Sequence, residues 1–542
     1  METYQETSPA KLETIGANVD NGNTFMASNE HSNTTEKDHE FPRPDHLEEG
    51  DSRGLSAEYR EYLMLRHGTV DLEPLPTMDP ADPLNWPSWK KHVNLILVSF
   101  HAMMTTFMAA GIIPAFGLLA KDLGVGLVRA SYLTSIQIVI LGFSPLFWKP
   151  ISNRFGRRPI WLISTFGSMI CNIGCAESHS YAAQVVTRIL VAFFISPAIA
   201  ISSAVVTETF FAKERGQKMG IWTLMVTLGP PTGPFMMGFV AYHTHGWQWI
   251  YWVFTIVNGV QFILYFFLSP ETVYVRNSPV SKSDQSAFRR TYMNFGKIGS
   301  VALTVRDFWM PLTLFGYPNV LIPTIAYSIS FGFCSVLLTV EIPQIFTPKF
   351  EFNPQQIGLQ FLGIIIGSVM GEQLGGYGSD WWMRRKAAKL GRTARVPPEH
   401  RIWLSYIGFA TVIIGLVVFC VQVDNAKQFH WNVTPIIGIA IAGFGNQIIT
   451  TVLVTYCVDC HHEHAASIGV FINLIRSTWG FIGPFWFPDM FTNIGLRGSA
   501  GLMVGLVVAV GLLPTMFIQW KGSVIREKKA HNEIGQINTI SR

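Results

Sequence analysis

Six ionisable side chains sit inside or at the margins of long apolar runs: His101, Arg188, Glu208, Glu341, Glu372 and Arg476. A charge at the centre of a bilayer costs roughly 2.5–3.5 kcal/mol even on lenient scales, so such groups usually pair, face a cavity, or move ions and protons. The segment GSVMGEQLGG puts Glu372 well within its run, which makes it the first choice for a proton carrier. Glu341, near the end of its run, could instead attract a cationic substrate, and Glu208, beside a basic loop, reads as structural. The first apolar run has no acid, which excludes an acidic proton carrier there. Gln137, Trp222, Asn446, Gln447 and Asn473 offer polar and aromatic groups for lining a pocket. A mostly apolar pocket with a few polar groups suits drug-like ligands. No Ser-His-Asp set, nucleic-acid patch or phosphate-cradling glycine loop is convincing, and the lack of a P-loop argues against an ATP-driven pump. The stretch CVDCHHEH, from Cys457 to His464, mixes metal-ligand residues but matches no zinc spacing, so neither a metal nor a cofactor is expected.

These residues need elements to carry them. Apolar residues make up 49% of the 542-residue chain and charged residues only 14%, against roughly 25% charged in soluble domains. About 20 apolar residues in helix cross a bilayer. Twelve runs are long enough, near 92–120, 130–150, 160–177, 183–210, 217–241, 247–268, 319–345, 355–379, 402–423, 434–458, 465–488 and 498–520. A soluble helical core would show polar faces at helical spacing, and runs such as IGLQFLGIIIGSVMG do not. The class expected is an all-α, multi-pass membrane protein.

Charge placement orients the chain. Residues 1–85 hold 18 acidic and 6 basic residues, with no helical apolar period. This reads as a disordered acidic tail rather than a secretory signal. With that tail in the cytoplasm, the loops on its side carry twenty Lys and Arg, against five on the other side. The positive-inside bias then puts both termini in the cytoplasm. The domains expected are a tail (1–85), a six-helix bundle (86–270), a cytoplasmic linker (271–318), a second bundle (319–520) and a cytoplasmic tail (521–542).

The two bundles repeat each other. SNRFGRR (Ser152–Arg158) follows the second span, and SDWWMRR (Ser379–Arg385) follows the eighth. Gly229-Pro230 in the fifth span recurs as Gly483-Pro484 in the eleventh. Two similar halves around a midplane site are the architecture of many secondary transporters. Glycine lets helices approach closely and proline kinks them, so Gly229, Pro230 and Gly233 mark a bent, tightly packed helix suited to a hinge or seal.

From about Asp82 to Trp520 the chain resembles the major facilitator superfamily, in particular fungal drug:proton antiporters. NRFGRRP resembles the loop motif between helices 2 and 3, although Lys149 stands where glycine is usual and Asn153 where aspartate is. Asp380 keeps the acid at the matching place in the second half. Arg188 resembles the helix-4 arginine. LGPPTGP (Leu228–Pro234) resembles the helix-5 exporter motif, with Met225 and Pro234 in place of its outer glycines. DPLNWPSWKK and PETVYVRN resemble the fungal branch. The resemblance implies the twelve-helix, two-bundle major facilitator fold. It also implies a gating role, holding the cytoplasmic ends of the halves together in the outward-open state, for Asn153, Arg154, Gly156, Arg157 and Arg158 and for Asp380, Arg384 and Arg385.

The function expected is secondary transport, not enzymatic catalysis, by a monomer in the plasma membrane. It would be proton-coupled efflux of a small hydrophobic xenobiotic or secondary metabolite. Uptake or exchange of a small cation such as a polyamine is the alternative, and a transporter-like sensor a third. The partners expected are a small-molecule substrate, the proton and the lipid bilayer, with no nucleic acid.

Overall fold

The computed structural model describes residues 55–274, 292, 304–390, 396–461 and 465–540. Twelve helices in it are long and apolar enough to cross a membrane. In chain order they are α1 (Ser88–Asp122), α2 (Leu127–Phe155), α3 (Arg157–Ala176), α4 (Tyr181–Thr209), α5 (Ala212–Thr244) and α6 (Gln248–Leu268), followed by α7 (Pro318–Phe350), α8 (Pro354–Lys389), α9 (Pro398–Asn425), α10 (Thr434–Cys460), α11 (Ala465–Phe485) and α12 (Phe487–Arg526). Helix is the economical solution because hydrocarbon offers the backbone no hydrogen bonds. Among the described residues there are no strands.

The two halves pack alike. α1 lies on α5, α3 on α6, and α2 on α4; six helices later α7 lies on α11, α9 on α12, and α8 on α10. The contacts between halves also come as a matched pair, α2 with α11 and α5 with α8. This is the pseudo-twofold arrangement anticipated from the repeat.

Small residues let the helices close. A Cβ on Gly367 of α8 would fall 2.1 Å from the Ala440 carbonyl oxygen of α10. One on Gly229 or Gly233 of α5 would strike the α1 backbone, 2.6 Å from the Met103 or Phe107 carbonyl oxygen. The seal between halves lies farther along: a Cβ on Gly238 would sit 2.6 Å from the Pro354 oxygen, and one on Gly358 2.9 Å from the Pro234 oxygen. Thus Gly229 and Gly233 bind α5 to its own half, and Gly238 meets the other.

Several expected boundaries change. Within the span 1–85, residues 55–85 are ordered, and 1–54 lie outside the described residues. Ser56 caps a helix over Ala57–His67, and Asp82 caps a turn at Pro83–Asn85. Leu63, Leu84 and Trp86 are buried, so three apolar anchors dock a segment whose polar composition hid them. The expected linker contains a short helix at Val305–Trp309 and a tight turn at Met310–Gly316; residues 275–291 and 293–303 lie outside the described residues. The expected tail from 521 continues the last helix as far as Ile540. α12 starts earlier than the apolar run predicted, because Gly483-Pro484 ends α11 in a tight turn and the helix resumes at Phe487. It is then interrupted at Gly495, whose φ of 70° glycine tolerates best.

The Gly238 contact yields a measurable consequence. A Gly238→Val substitution should separate the halves at this end. In purified protein lacking native cysteines, maleimide labelling of Ile113→Cys, a fully buried position, should accelerate severalfold. Unchanged labelling would mean that the contact does not close this end.

Candidate functional site

Between the halves lies a small, partly open cavity of about 60 Å³. Its walls come from both bundles: Thr106 and Ile113 of α1, Thr134, Ile138 and Leu141 of α2, Ile199 of α4 and Pro230 of α5 on one side. Phe331, Ser335, Val336 and Thr339 of α7 and Asn473, Arg476 and Ser477 of α11 form the other. The surface is mainly apolar with scattered hydroxyls, and among the described residues Arg476 is the one charged side chain that lines it. A wide helical turn at Gly332–Leu337 displaces the α7 wall where it faces the cavity, as such turns often do at functional sites.

Arg476 is held on two sides. Its Nε and Nη2 donate to Asn473 Oδ1 at 3.2 and 2.9 Å, and its Nη1 donates to the Tyr327 hydroxyl at 3.0 Å. Its guanidinium lies 4.9 Å from the centre of the Phe331 ring. Asn473 Nδ2 in turn donates to the Leu141 carbonyl of the opposite half at 2.9 Å. Behind the other wall Arg188, 1% exposed, donates to Gln137 Oε1 at 2.6 Å, to the Tyr251 hydroxyl at 2.8 Å and to the Ala109 carbonyl at 3.2 Å.

Glu372 is not on the cavity wall. Its Oε2 accepts from Gln447 Nε2 at 2.5 Å and from Thr451 Oγ1 at 2.8 Å. Gln447 Nε2 also reaches Thr227 Oγ1 of α5 at 3.3 Å, which joins the acid to the other half. Asn446 sits one step behind the wall, donating to Ser335 Oγ. Glu341 is buried away from the wall, and its Oε1 has no hydrogen-bond partner. His101 lies inside the first bundle, bonded to Tyr265 and Ser164 and packed on Trp161. Trp222 packs against the cluster of Leu97, Val98 and Trp148. Among the expected pathway residues, then, only Asn473 and Arg476 line this cavity. The Thr106, Thr134, Ser335, Thr339 and Ser477 hydroxyls were missed, since single Ser and Thr in apolar helices carry no distinguishing pattern.

At the end bearing the basic loops, each half contains a charge knot. Gly156, with φ 94°, turns the chain sharply between α2 and α3. Arg157 pairs with Glu208 of α4 at 2.8 Å and also donates to Ser152 Oγ and to Asn153 Oδ1. Arg158 donates to the Tyr265, Phe266 and Ser269 carbonyls at the end of α6. Glu271 accepts from the backbone N–H groups of Arg157 and Arg158 at the start of α3, where an anion also suits the helix dipole. Burial pushes the Glu271 carboxyl up from its ordinary value, and nearby Glu208 adds to this, against the pull of the backbone donors. In the second half the corresponding arginine is Arg401. It reaches Ser379 Oγ at 2.7 Å, Asp380 at 2.9 Å and Asp459 of α10 at 3.1 Å.

The repeat does not carry over residue for residue. The spatial counterpart of Arg157 is Arg401, not Arg384, because α8 runs on as helix through Lys389 and carries Arg384 and Arg385 along its polar extension. In this structure Arg157 and Arg158 bind the helices of their own half, while the adjacent Lys149 donates across to Ser467 Oγ of α11 at 2.9 Å. Glu271 could have been found from PETVYVRN, whose acid lies just after α6; Arg401 carried only its loop charge.

Two pseudo-symmetric bundles around a shared cavity define a secondary-transporter architecture. The Major Facilitator Superfamily profile matches residues 95–484, and the chain belongs to that family. It is 30% identical over 444 residues to the MFS transporter cpaT of Aspergillus oryzae, covering 80% of this chain and 87% of that one. It is 25% identical over 495 residues to Polyamine transporter 3 of Saccharomyces cerevisiae, covering 89% and 76%. Among solved structures, the peptide transporter POT in complex with alafosfalin superposes with a TM-score of 0.59 at 14% identity, covering 83% of this chain and 99% of that one. The protein is therefore a multi-pass membrane transporter of small molecules, and not an enzyme.

Removing Glu271 takes the acceptor from the buried N–H groups of Arg157, Arg158 and Thr272 and should lower stability by roughly 2–3 kcal/mol. Glu271→Ala should unfold several degrees below wild type in detergent, with Glu271→Gln intermediate. Equal melting temperatures would remove Glu271 from the framework holding α3 to α6.

Proposed function

We propose that the protein is a proton-coupled exporter of the drug:proton antiporter type, carrying a small, largely apolar organic compound out of the cytoplasm across the plasma membrane. In this reading the basic end and both termini face the cytoplasm, as the loop charges favour. The observation that carries the proposal is the bond chain Glu372–Gln447–Thr227, which links a buried acid to the opposite half. With Glu372 ionised, Gln447 and Thr451 make charge-assisted bonds to Oε2, worth roughly 1.5–3 kcal/mol each; protonation reduces such bonds to roughly 0.5–1.5 kcal/mol. Gln447 is then less firmly held, and the link to Thr227 weakens with it. A proton arriving at Glu372 thereby changes how tightly the halves adhere, as antiport requires.

The loop residues Asn153 to Arg158, with Asp380, Arg384 and Arg385, serve as the cytoplasmic latch once the opposite end opens. The Gly238–Gly358 contact would be the seal that must part first. Uptake of a cation draws support from the buried, unpartnered oxygen of Glu341 and from the likeness to a protein named for polyamine transport. Against it, neither Glu341 nor Glu372 borders the cavity.

The test is accumulation of antifungals, fungal metabolites and polyamines in a transporter-deficient yeast expressing this chain. Export predicts lower accumulation of at least one compound, restored by a protonophore and by Glu372→Gln to the level of non-expressing cells. Higher accumulation of a polyamine would overturn export. Export insensitive to the protonophore and to Glu372→Gln would overturn the coupling.

A further inference from the structure

The cavity has a marked charge preference. It is bordered by one arginine and no acid, and a second arginine lies directly behind its wall, donating to the carbonyl of lining residue Ala109. None of the ion pairs among the described residues includes Arg188 or Arg476. Both are satisfied only by neutral groups: amide oxygens, tyrosine hydroxyls and backbone carbonyls. A buried charge such as Arg188 is costly without a counter-ion, and the half-buried Arg476 adds a second of the same sign to this region.

The unmet hydrogen-bonding capacity points the same way. Thr134, 2% exposed and on the wall, has a hydroxyl with no partner. Gln137 Nε2 and Arg188 Nε are buried donors without acceptors. Arg476 uses one N–H on each nitrogen for Asn473 and Tyr327, and a guanidinium has five, so each Nη retains a second to offer. Around these groups the walls are apolar, with Ile113, Ile138, Leu141, Phe331 and Val336.

We infer that the substrate is an amphipathic organic anion whose acidic group, a carboxylate or its equivalent, pairs with Arg476 and accepts from Thr134, while its apolar body occupies the rest of the cavity. The inference rests on the cavity being the transport site of the exporter proposed above. A fork-shaped guanidinium suits a carboxylate better than an ammonium does, because it can donate two parallel bonds. Arg476 also joins substrate to motion. Its partner Asn473 bonds Leu141 of the other half, so an anion that draws Arg476 away from Asn473 would disturb a contact across the midline.

The experiment uses full-length protein in nanodiscs and three probes on one naphthylalkyl scaffold, ending in a carboxylate, a primary amide or an ammonium. Binding is read by the shift in melting temperature with concentration. The carboxylate should bind at least tenfold more tightly than the amide, and the ammonium more weakly than either. Arg476→Gln should bring the carboxylate down to the amide's affinity, Arg476→Lys should keep part of the preference, and Thr134→Val should weaken the carboxylate alone. If Arg476→Gln does not fold, the lysine and valine variants carry the comparison. Equal or better binding of the amide or ammonium, a preference that survives these substitutions, or no shift with any probe would overturn the inference. Accumulation of the same probes in yeast separates it from the exporter reading. Arg476-dependent carboxylate binding without export would leave the anion site standing and the exporter reading refuted; export indifferent to the head group would do the reverse.

Discussion

Hydrocarbon supplies no hydrogen bonds, so every polar group carried into it must be answered from within the protein. The twelve helices answer that constraint for the backbone. The two charge knots answer it at the basic end, where the chain must leave the helices and turn back. Arg157 and Arg401 occupy equivalent places, each gathering a serine hydroxyl, the Asn or Asp side chain that follows that serine, and an acid at the end of another helix. Each also needs a tie between the start of one helix and the end of the bundle's last, and here the halves differ. In the first, the acid is Glu271 after α6 and the donors are backbone N–H groups of α3. In the second, the acid is Glu399 in the first turn of α9 and the donor is Arg526 at the end of α12. The same mechanical task is met with acid and donor exchanged.

That exchange explains how far the sequence could be read. Helix number, the twofold repeat and the basic end follow from composition and spacing, because they depend on sums over many residues. The knots depend on single partners. SDWWMRR matches SNRFGRR in pattern, yet the arginine that meets Ser379 and Asp380 is Arg401, sixteen positions beyond Arg385. The docked segment from Ser56 to Trp86 escaped notice for a related reason. Its three buried anchors, Leu63, Leu84 and Trp86, are too few to give a period, and its acids dominate any average.

The site was legible only in part. Charge in an apolar run marks a residue as consequential without saying what it faces. His101 answers its cost inside one bundle with Tyr265 and Ser164, Glu372 answers it across the halves through Gln447, and Arg476 faces the cavity. Which of these three fates applies depends on the rotation of each helix about its axis. Glycine-rich membrane helices, apolar on all sides, leave that rotation undetermined in the sequence.

The strength of the contacts is divided according to what must move. Within each half the helices are locked by backbone-to-backbone approach at glycines such as Gly367 and Gly229, and by multivalent arginines. Between halves, besides the close backbone approach at Gly238 and Gly358, the polar links among the described residues are three: Gln447 to Thr227 at 3.3 Å, Lys149 to Ser467 at 2.9 Å and Asn473 to Leu141 at 2.9 Å. A single polar link of this kind is worth roughly 0.5–1.5 kcal/mol net, so any one can be exchanged on the scale of a proton or substrate binding event. Two of the three come from residues tied to a buried acid or to a cavity arginine. Glu372, the acid proposed to take up the proton, and Arg476, the arginine proposed to meet an anion, are thus each one hydrogen bond away from a residue that links the halves.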